Sequence, residues 1–110
     1  MKVTVKGHTT LIKDSTNDLE AFVAKLTHEI NTFKEQNLII DLSHYGTVDK
    51  KQVLLLKPLS VTHKKNKKSF AVVVSATDFN AFSAAFTVVP SVLEAHDIIE
   101  MEEIERDLGF

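Results

Sequence analysis

Hydrophobic and polar residues alternate at the start of the chain, where Val3 and Val5 stand among lysine and threonine residues. This period of two is typical of a half-buried strand. Gly7 marks a turn, and a second β-rich run follows from Thr9 to Ile12. The pattern predicts an opening β-hairpin.

The spacing of apolar residues then changes to that of an amphipathic helix. The sequence predicts that this helix runs from Asp18 to Glu35. Asn17 is its expected N-cap, with Glu20 in the reciprocal position of a capping box. The apolar side of the predicted helix comprises Leu19, Phe22, Val23, Leu26, Ile30 and Phe33.

The middle of the chain has the pattern of a buried strand, a loop and a second helix. Residues 38–42 are apolar apart from Asp41, which indicates a central strand covered on both faces. Asp49 and Gln52 form a capping-box pair at the start of an apolar-rich helix. Pro58 lies inside that helix and should kink or break it, because proline lacks a backbone donor and crowds the preceding turn.

The last part of the chain adds two strands and a long helix. Phe70–Val74 and Thr87–Val89 have strand patterns, with a short helix or turn predicted from Asp78 to Phe82. Ser91 caps a final helix. One broad apolar face is predicted on that helix, comprising Val92, Ala95, Ile98, Ile99, Met101, Ile104 and Leu108.

Together these elements predict a single α/β domain over residues 1–110. We expect a four- to five-stranded mixed sheet, built from the N-terminal hairpin and parallel strands, with three main helices and one short helix. Composition agrees, since 44% apolar and 25% charged residues are ordinary for a globular domain of 110 residues.

Several classes of protein are disfavoured by composition. The chain has no cysteine, which excludes disulfides and thiol chemistry. Its first residues lack the apolar region of a signal peptide, and no apolar run is long enough to cross a bilayer. We therefore expect a cytoplasmic protein without membrane insertion.

The formal net charge of −2 gives no basis for nucleic-acid binding. The charge is uneven, however, because lysines cluster between Lys64 and Lys68 while residues 94–107 are strongly acidic. The lysine cluster lacks the interleaved aromatic residues of single-strand binding sites, so we interpret it as a solvated turn. The acidic helix is interpreted as a solvated face or as an interface for a basic partner.

The segment IDLSHYGTVDKKQV, residues 40–53, resembles the switch region of the STAS domain. This family comprises bacterial anti-sigma factor antagonists and the cytoplasmic tails of sulfate transporters. In its members a strand ending in a motif like LDLSGVTFIDSSGL runs into a helix. Asp41 and Asp49 match the two aspartates of that motif, and the strand SFAVVVS and a last helix with Glu94 and Ala95 follow in the family's order. The resemblance covers nearly the whole chain.

The chain departs from the STAS motif at the phosphorylated position. In the family, a partner kinase phosphorylates the serine after the second aspartate, but Lys50 and Lys51 occupy the two serine positions and Gln52 the glycine position. The resemblance therefore implies a docking surface that serine phosphorylation does not switch at the usual position. Ser43 and Thr47 could substitute as acceptors, although local turn hydrogen bonds explain them more simply.

The resemblance implies a non-enzymatic regulatory module that binds a protein partner of the kinase, anti-sigma or sensor class. Tyr45 is the expected main contact, because an exposed amphipathic aromatic side chain makes a good anchor. Lys50 and Lys51 would complement an acidic patch on the partner. The predicted partner-binding residues are His44, Tyr45, Thr47, Asp49, Lys50 and Lys51.

Other functions have less support in the sequence. The histidines are scattered and form no zinc-binding motif, so we expect neither a metal nor a cofactor. Asp41 and Asp49 are most simply a loop-holding carboxylate and a helix cap. The alternative is a nucleotide, lipid or anion site, or an enzyme, at this strand end. A third hypothesis is a homo-oligomer that assembles through Phe79, Phe82 and Phe86.

Overall fold

A computed structural model describes residues 1–14, 17–83 and 85–109 and has the predicted α/β architecture. Its main elements are β1 Lys2–Lys6, β2 Thr9–Lys13, α1 Leu19–Glu29, β3 Asn37–Asp41, α2 Lys50–Leu54, α3 Lys57–Lys65, β4 Phe70–Val73, β5 Thr87–Val89 and α4 Val92–Asp107. Short 3₁₀ helices occupy Ile30–Phe33, Ser43–Tyr45 and Phe79–Ala81. None of the described helices is long and apolar enough to cross a bilayer.

The strands form one mixed sheet in the order β1-β2-β3-β4-β5. β1 and β2 pair antiparallel as the predicted hairpin, and the other neighbouring strands are parallel. Parallel neighbours require crossover connections, which α1 provides between β2 and β3, and α2 with α3 between β3 and β4. All residues of the central strand β3 are buried, as its apolar pattern predicts.

The two faces of the sheet belong to separate hydrophobic cores. Phe22 of α1, Ile40 of β3 and Phe70 of β4 belong to the core under α1, α2 and α3. Ile39 of β3 and Ile99 of α4 belong to the core on the opposite face. Successive residues of a strand point to opposite faces, so Ile39 and Ile40 contribute to different cores. The central strand β3 therefore needs apolar side chains on both of its faces.

Both ends of α1 differ from the prediction, since its α-helical part stops at Glu29 instead of Glu35 and a 3₁₀ helix follows. The N-cap of α1 is Asp18 instead of Asn17, and its carboxylate accepts a hydrogen bond of 3.1 Å from the Ala21 N–H. α2 ends at Leu54 and α3 begins at Lys57, so Pro58 lies in the first turn of α3. Backbone N–H groups in the first turn of a helix have no partner within the helix, so the N–H that proline lacks costs no helical hydrogen bond there. The predicted break at this proline is confirmed.

Strand β1 is more exposed than its alternating pattern predicts. Val3 and Val5 are 42% and 64% exposed, and neither belongs to a core cluster. The strand lies at the edge of the sheet, outside the strands that the helices cover.

The prediction of one broad apolar face on α4 is wrong. Ala95 and Ile99 are buried against the sheet, but a second group of apolar side chains faces solvent. The cause is that the C-terminal half of α4 turns polar side chains toward the sheet, including Glu103, which was expected on the solvated side. The exposed group, which we call the outer stripe, comprises Leu93, Met101, Ile104 and Leu108, each 59–71% exposed.

The three phenylalanines of the oligomer hypothesis pack against the core, and two of them keep part of their surface exposed. Phe86 is buried, and Phe79 and Phe82 are half-buried against the core under α1 to α3. The rings of Phe82 and Phe86 meet edge to face at 5.9 Å between centroids. These side chains therefore contribute mainly to folding.

Candidate functional site

The candidate site lies at the carboxyl edge of the parallel strands. The loop that follows β3, residues 42–49, connects it to α2. The ends of β2 and β4 lie beside it, since both strands pair in parallel with β3. Three separate segments of the chain therefore meet at this edge, which is where α/β proteins place most of their binding sites.

Local chemistry explains the path of this loop. The Asp41 carboxylate accepts a hydrogen bond of 2.9 Å from the Ser43 N–H, which turns the chain as it leaves the strand. A single 3₁₀ turn follows over Ser43–Tyr45. Gly46 then adopts φ 74° and ψ −125°, a conformation that glycine tolerates and other residues rarely adopt.

Contacts with neighbouring segments hold the loop in place. The Tyr45 hydroxyl donates a hydrogen bond to the carboxylate of Asp14, which follows β2. The Ser75 hydroxyl, after β4, donates to the Ser43 carbonyl at 2.7 Å. The Val48 N–H donates to the Ala76 carbonyl at 3.3 Å. The loop is thus attached to the ends of both adjacent strands.

The start of α2 is fixed by the predicted capping box. The Gln52 N–H donates to the Asp49 carboxylate at 2.9 Å, and the Asp49 N–H donates to the Gln52 side-chain oxygen at 3.1 Å. Both bonds satisfy backbone donors that a helix start leaves unpaired. Lys50 and Lys51 come next and are exposed, so two ammonium groups lie in the first turn of α2.

The predicted partner-binding residues come together on this loop and the first turn of α2. Tyr45 is only half-buried rather than freely exposed: it packs against the core, and its ring lies 4.3 Å from that of His44, measured between centroids. Because its hydroxyl also bonds Asp14, Tyr45 supports the loop as well as contributing surface. The remaining predicted residues are exposed: His44, Thr47, Asp49, Lys50 and Lys51.

Asp41 and Asp49 have the structural roles that the sequence suggested. Asp41 is buried and holds the turn after β3, and Asp49 caps α2. Among the described residues, no group of three potential metal-ligating side chains comes together. A cleft of about 540 Å³ lies elsewhere, between the lysine-rich turn after α3 and the end of α4.

Two residues that hold the site were not identified from the sequence. Asp14 and Ser75 bond the loop but lie far from it along the chain. Each follows a strand closely, and the carboxyl ends of parallel strands meet at one edge of a sheet, which is the signal that could have identified them.

Comparison with known proteins leaves the family of the chain open. No protein-family model matches the sequence, and no curated protein matches it significantly. The function must therefore be argued from the geometry of the loop and from the residues that it exposes.

Proposed function

We propose that this protein is a non-enzymatic regulatory module of the STAS type, acting in the bacterial cytoplasm, that docks a protein partner through its β3–α2 loop. The docking surface comprises His44, Tyr45, Thr47, Asp49, Lys50 and Lys51. The observation that carries the proposal is that a loop fixed by its neighbours exposes five of these six side chains together.

A fixed loop favours docking because it lowers the entropic cost of association. Ordering a flexible side chain on binding costs roughly 0.5–1.5 kcal/mol, and ordering loop backbone adds to that. Here the backbone is already held by Asp41, by the capping box and by the bonds to Asp14 and Ser75. Little of the backbone part of that cost therefore remains to be met when a partner binds.

The two lysines of α2 are better explained by docking than by folding. The N-terminal turn of a helix carries partial positive charge, which disfavours cations there. Lys50 and Lys51 are exposed at this position. They would instead complement an acidic patch on the partner, which increases the rate and specificity of association. Because lysine occupies the position of the phosphorylated serine, serine phosphorylation at that position does not control docking on this surface.

Charge reversal of the two lysines tests this surface. Affinity capture from an extract of the source cells, quantified by mass spectrometry, should recover a partner with the wild-type chain and lose it with Lys50→Glu/Lys51→Glu. The fold should remain intact, because both side chains are exposed and acidic residues are favourable at a helix start.

A matched control reverses the same number of charges elsewhere. Lys25, in α1, and Lys34, directly after the 3₁₀ helix Ile30–Phe33, are both exposed and lie outside the β3–α2 loop. Lys25→Glu/Lys34→Glu should recover the partner as the wild type does. Equal recovery by wild type and Lys50→Glu/Lys51→Glu would remove the β3–α2 loop from the docking surface.

A further inference from the structure

The outer stripe of α4 is an apolar surface on the opposite side of the sheet from α1, α2 and α3. With about 3.6 residues per helical turn, its four side chains fall within a sector of roughly 80°. Buried Ala95 and Ile99 lie on the other side of the helix. From Leu93 to Leu108 the stripe is about 22 Å long, at about 1.5 Å per residue.

The exposure and the spacing of this stripe indicate an interface. Single exposed apolar side chains are ordinary, whereas contiguous ones mark sites of interaction. Leu93, Met101, Ile104 and Leu108 are each more than half exposed. Met101, Ile104 and Leu108 are neighbours on the helix, while Leu93 lies two turns earlier with Asp97 between. Met101, Ile104 and Leu108 follow one another at intervals of three and four residues, which is the spacing of the seam between two packed helices. The surface therefore suits a helix as its occupant.

The charges around the stripe decide which kind of helix fits. By helical position, Glu100 and Asp107 lie along one side of the stripe, Glu94 and Glu105 along the other, and Asp97 within it; all five are exposed. Arg106 does not offset them, since its guanidinium donates hydrogen bonds to Ser69 and Asn37 at the sheet. The exposed side of α4 thus carries four apolar side chains with Asp97 among them, and carboxylates along both margins. Lys6, Lys64, Lys67 and Lys68 line the clefts beside these margins.

This arrangement opposes self-association through α4. A second copy of α4 packed on the stripe would bring carboxylates against carboxylates at the flanking positions, where like charges are unfavourable. A helix with lysine or arginine at those positions would instead gain opposite-charge pairs on both margins. We propose that the outer stripe of α4 docks a basic amphipathic helix of a partner protein. This surface is separate from the β3–α2 loop and does not depend on its function.

Two synthetic peptides provide the test. Both are helical, with leucine along one face; the first has lysine and the second glutamate at every position that flanks the leucines. In fluorescence anisotropy with the full chain, the lysine peptide should bind at least about tenfold more tightly than the glutamate peptide. Its affinity should fall as salt is raised, because exposed charge pairs are screened.

Variants of the chain distinguish docking on the stripe from nonspecific electrostatic attraction between the peptide and the protein. Ile104→Gln should weaken binding of the lysine peptide about tenfold, since it removes an apolar contact at the centre of the stripe. Glu100→Gln/Glu105→Gln should weaken binding and reduce its salt dependence. Val61→Gln is the matched control, because Val61 is 46% exposed on α3, and it should bind as the wild type does. Lys50→Glu/Lys51→Glu should also leave peptide binding unchanged.

Three results would overturn the proposal. The first is equal or absent binding of the two peptides. The second is a dimer in sedimentation equilibrium that Ile104→Gln dissociates, which would assign the stripe to a second copy of the chain. The third is binding of the chain to phosphatidylcholine vesicles that Ile104→Gln abolishes, which would assign it to a lipid surface. None of these results bears on the β3–α2 loop.

Discussion

Lys67 has a backbone conformation that is unfavourable for its residue type. Its φ of 61° is in the left-handed region, and among the described residues it is the only residue other than glycine with a positive φ. The position follows the end of α3, where the Lys67 N–H donates to the Lys64 carbonyl at 2.9 Å. Glycine usually occupies this position after a helix, because it has no Cβ to crowd the backbone.

We therefore predict that Lys67→Gly stabilises the protein. Relief of the left-handed strain is worth about 1–2 kcal/mol, offset in part by the larger entropy of glycine in the unfolded chain, so the free energy of unfolding should rise by roughly 0.5–1 kcal/mol. Urea denaturation measures it. Lys65→Gly is the control, since Lys65 is helical and glycine there should lower stability. A loss of stability in Lys67→Gly would contradict the strain argument.

His63 is a buried titratable side chain outside the candidate site. It is 1% exposed, and its Nε2 lies 2.6 Å from the Gln36 carbonyl oxygen. A carbonyl only accepts hydrogen bonds, so Nε2 donates. Burial lowers the pKa of His63 below its ordinary value of 6.5; the bond to Gln36 opposes this shift and the charge of Lys68 adds to it.

This lowered pKa predicts a loss of stability in mild acid. Between the folded-state pKa and 6.5, the unfolded chain binds the proton more readily than the folded protein does. The contribution of His63 to stability is therefore complete above pH 6.5 and is lost as the pH falls toward the folded-state pKa. Urea denaturation from pH 7.5 to 5 should show this slope in the wild type and a reduced slope in His63→Gln.

A direct titration checks the same prediction without a variant. The His63 ring signal in NMR should titrate with a midpoint below 6.5. A midpoint at or above that value would show that burial does not control this side chain.

At the scale of elements, chemistry confined to a few neighbouring residues was predictable. The capping box of Asp49 with Gln52 joins groups three positions apart, and Pro58 acts on the adjacent turn, so both effects are visible in the sequence. The choice between Asn17 and Asp18 was not, because both residues are good caps and local pattern does not rank them. The spacing of apolar residues indicates the presence of a helix or strand more reliably than it indicates the residue at which that element begins or ends.

The outer stripe shows what periodicity cannot decide. Apolar residues surround much of α4, so the sequence alone does not indicate which sector packs on the sheet. That choice depends on Asn37 and Ser69, buried polar residues at the starts of β3 and β4 that pair with Glu103 and Arg106. These partners are far apart in the chain, and only the order of strands brings them together.

In the candidate site, too, the local features were predictable from the sequence and the long-range contacts were not. Exposure of His44, Thr47, Asp49, Lys50 and Lys51 follows from a strand end and a helix start, both of which are local features. The attachment of Tyr45 to Asp14 requires β2 and β3 to be neighbours in the sheet, and a local pattern does not contain that information.

At the scale of the whole molecule, one side chain connects the central strand with the start of the neighbouring strand β4 and with α4. Asn37 is fully buried at the start of β3. Its side-chain oxygen accepts from the Ser69 N–H at 2.9 Å and from Arg106 at 3.4 Å, and its amide nitrogen donates to Glu103 at 2.5 Å. The position of α4, and so of the outer stripe, depends on these bonds.

We predict that Asn37→Ala destabilises the protein and loosens α4 in particular. It leaves the buried Ser69 N–H without its acceptor and removes the Asn37 bonds of Glu103 and Arg106, although Arg106 keeps its bond to the Ser69 hydroxyl. Each lost bond of a buried group costs about 1–3 kcal/mol. The expected loss in unfolding free energy is roughly 2–4 kcal/mol, since these effects are coupled. In native-state hydrogen exchange, amides in the C-terminal half of α4 should lose more protection than those of α1. Asn31→Ala is the control, because Asn31 is exposed and its replacement should change stability by less than about 0.5 kcal/mol. Equal loss of protection in α1 and α4 would show that Asn37 stabilises the strands without holding the helix.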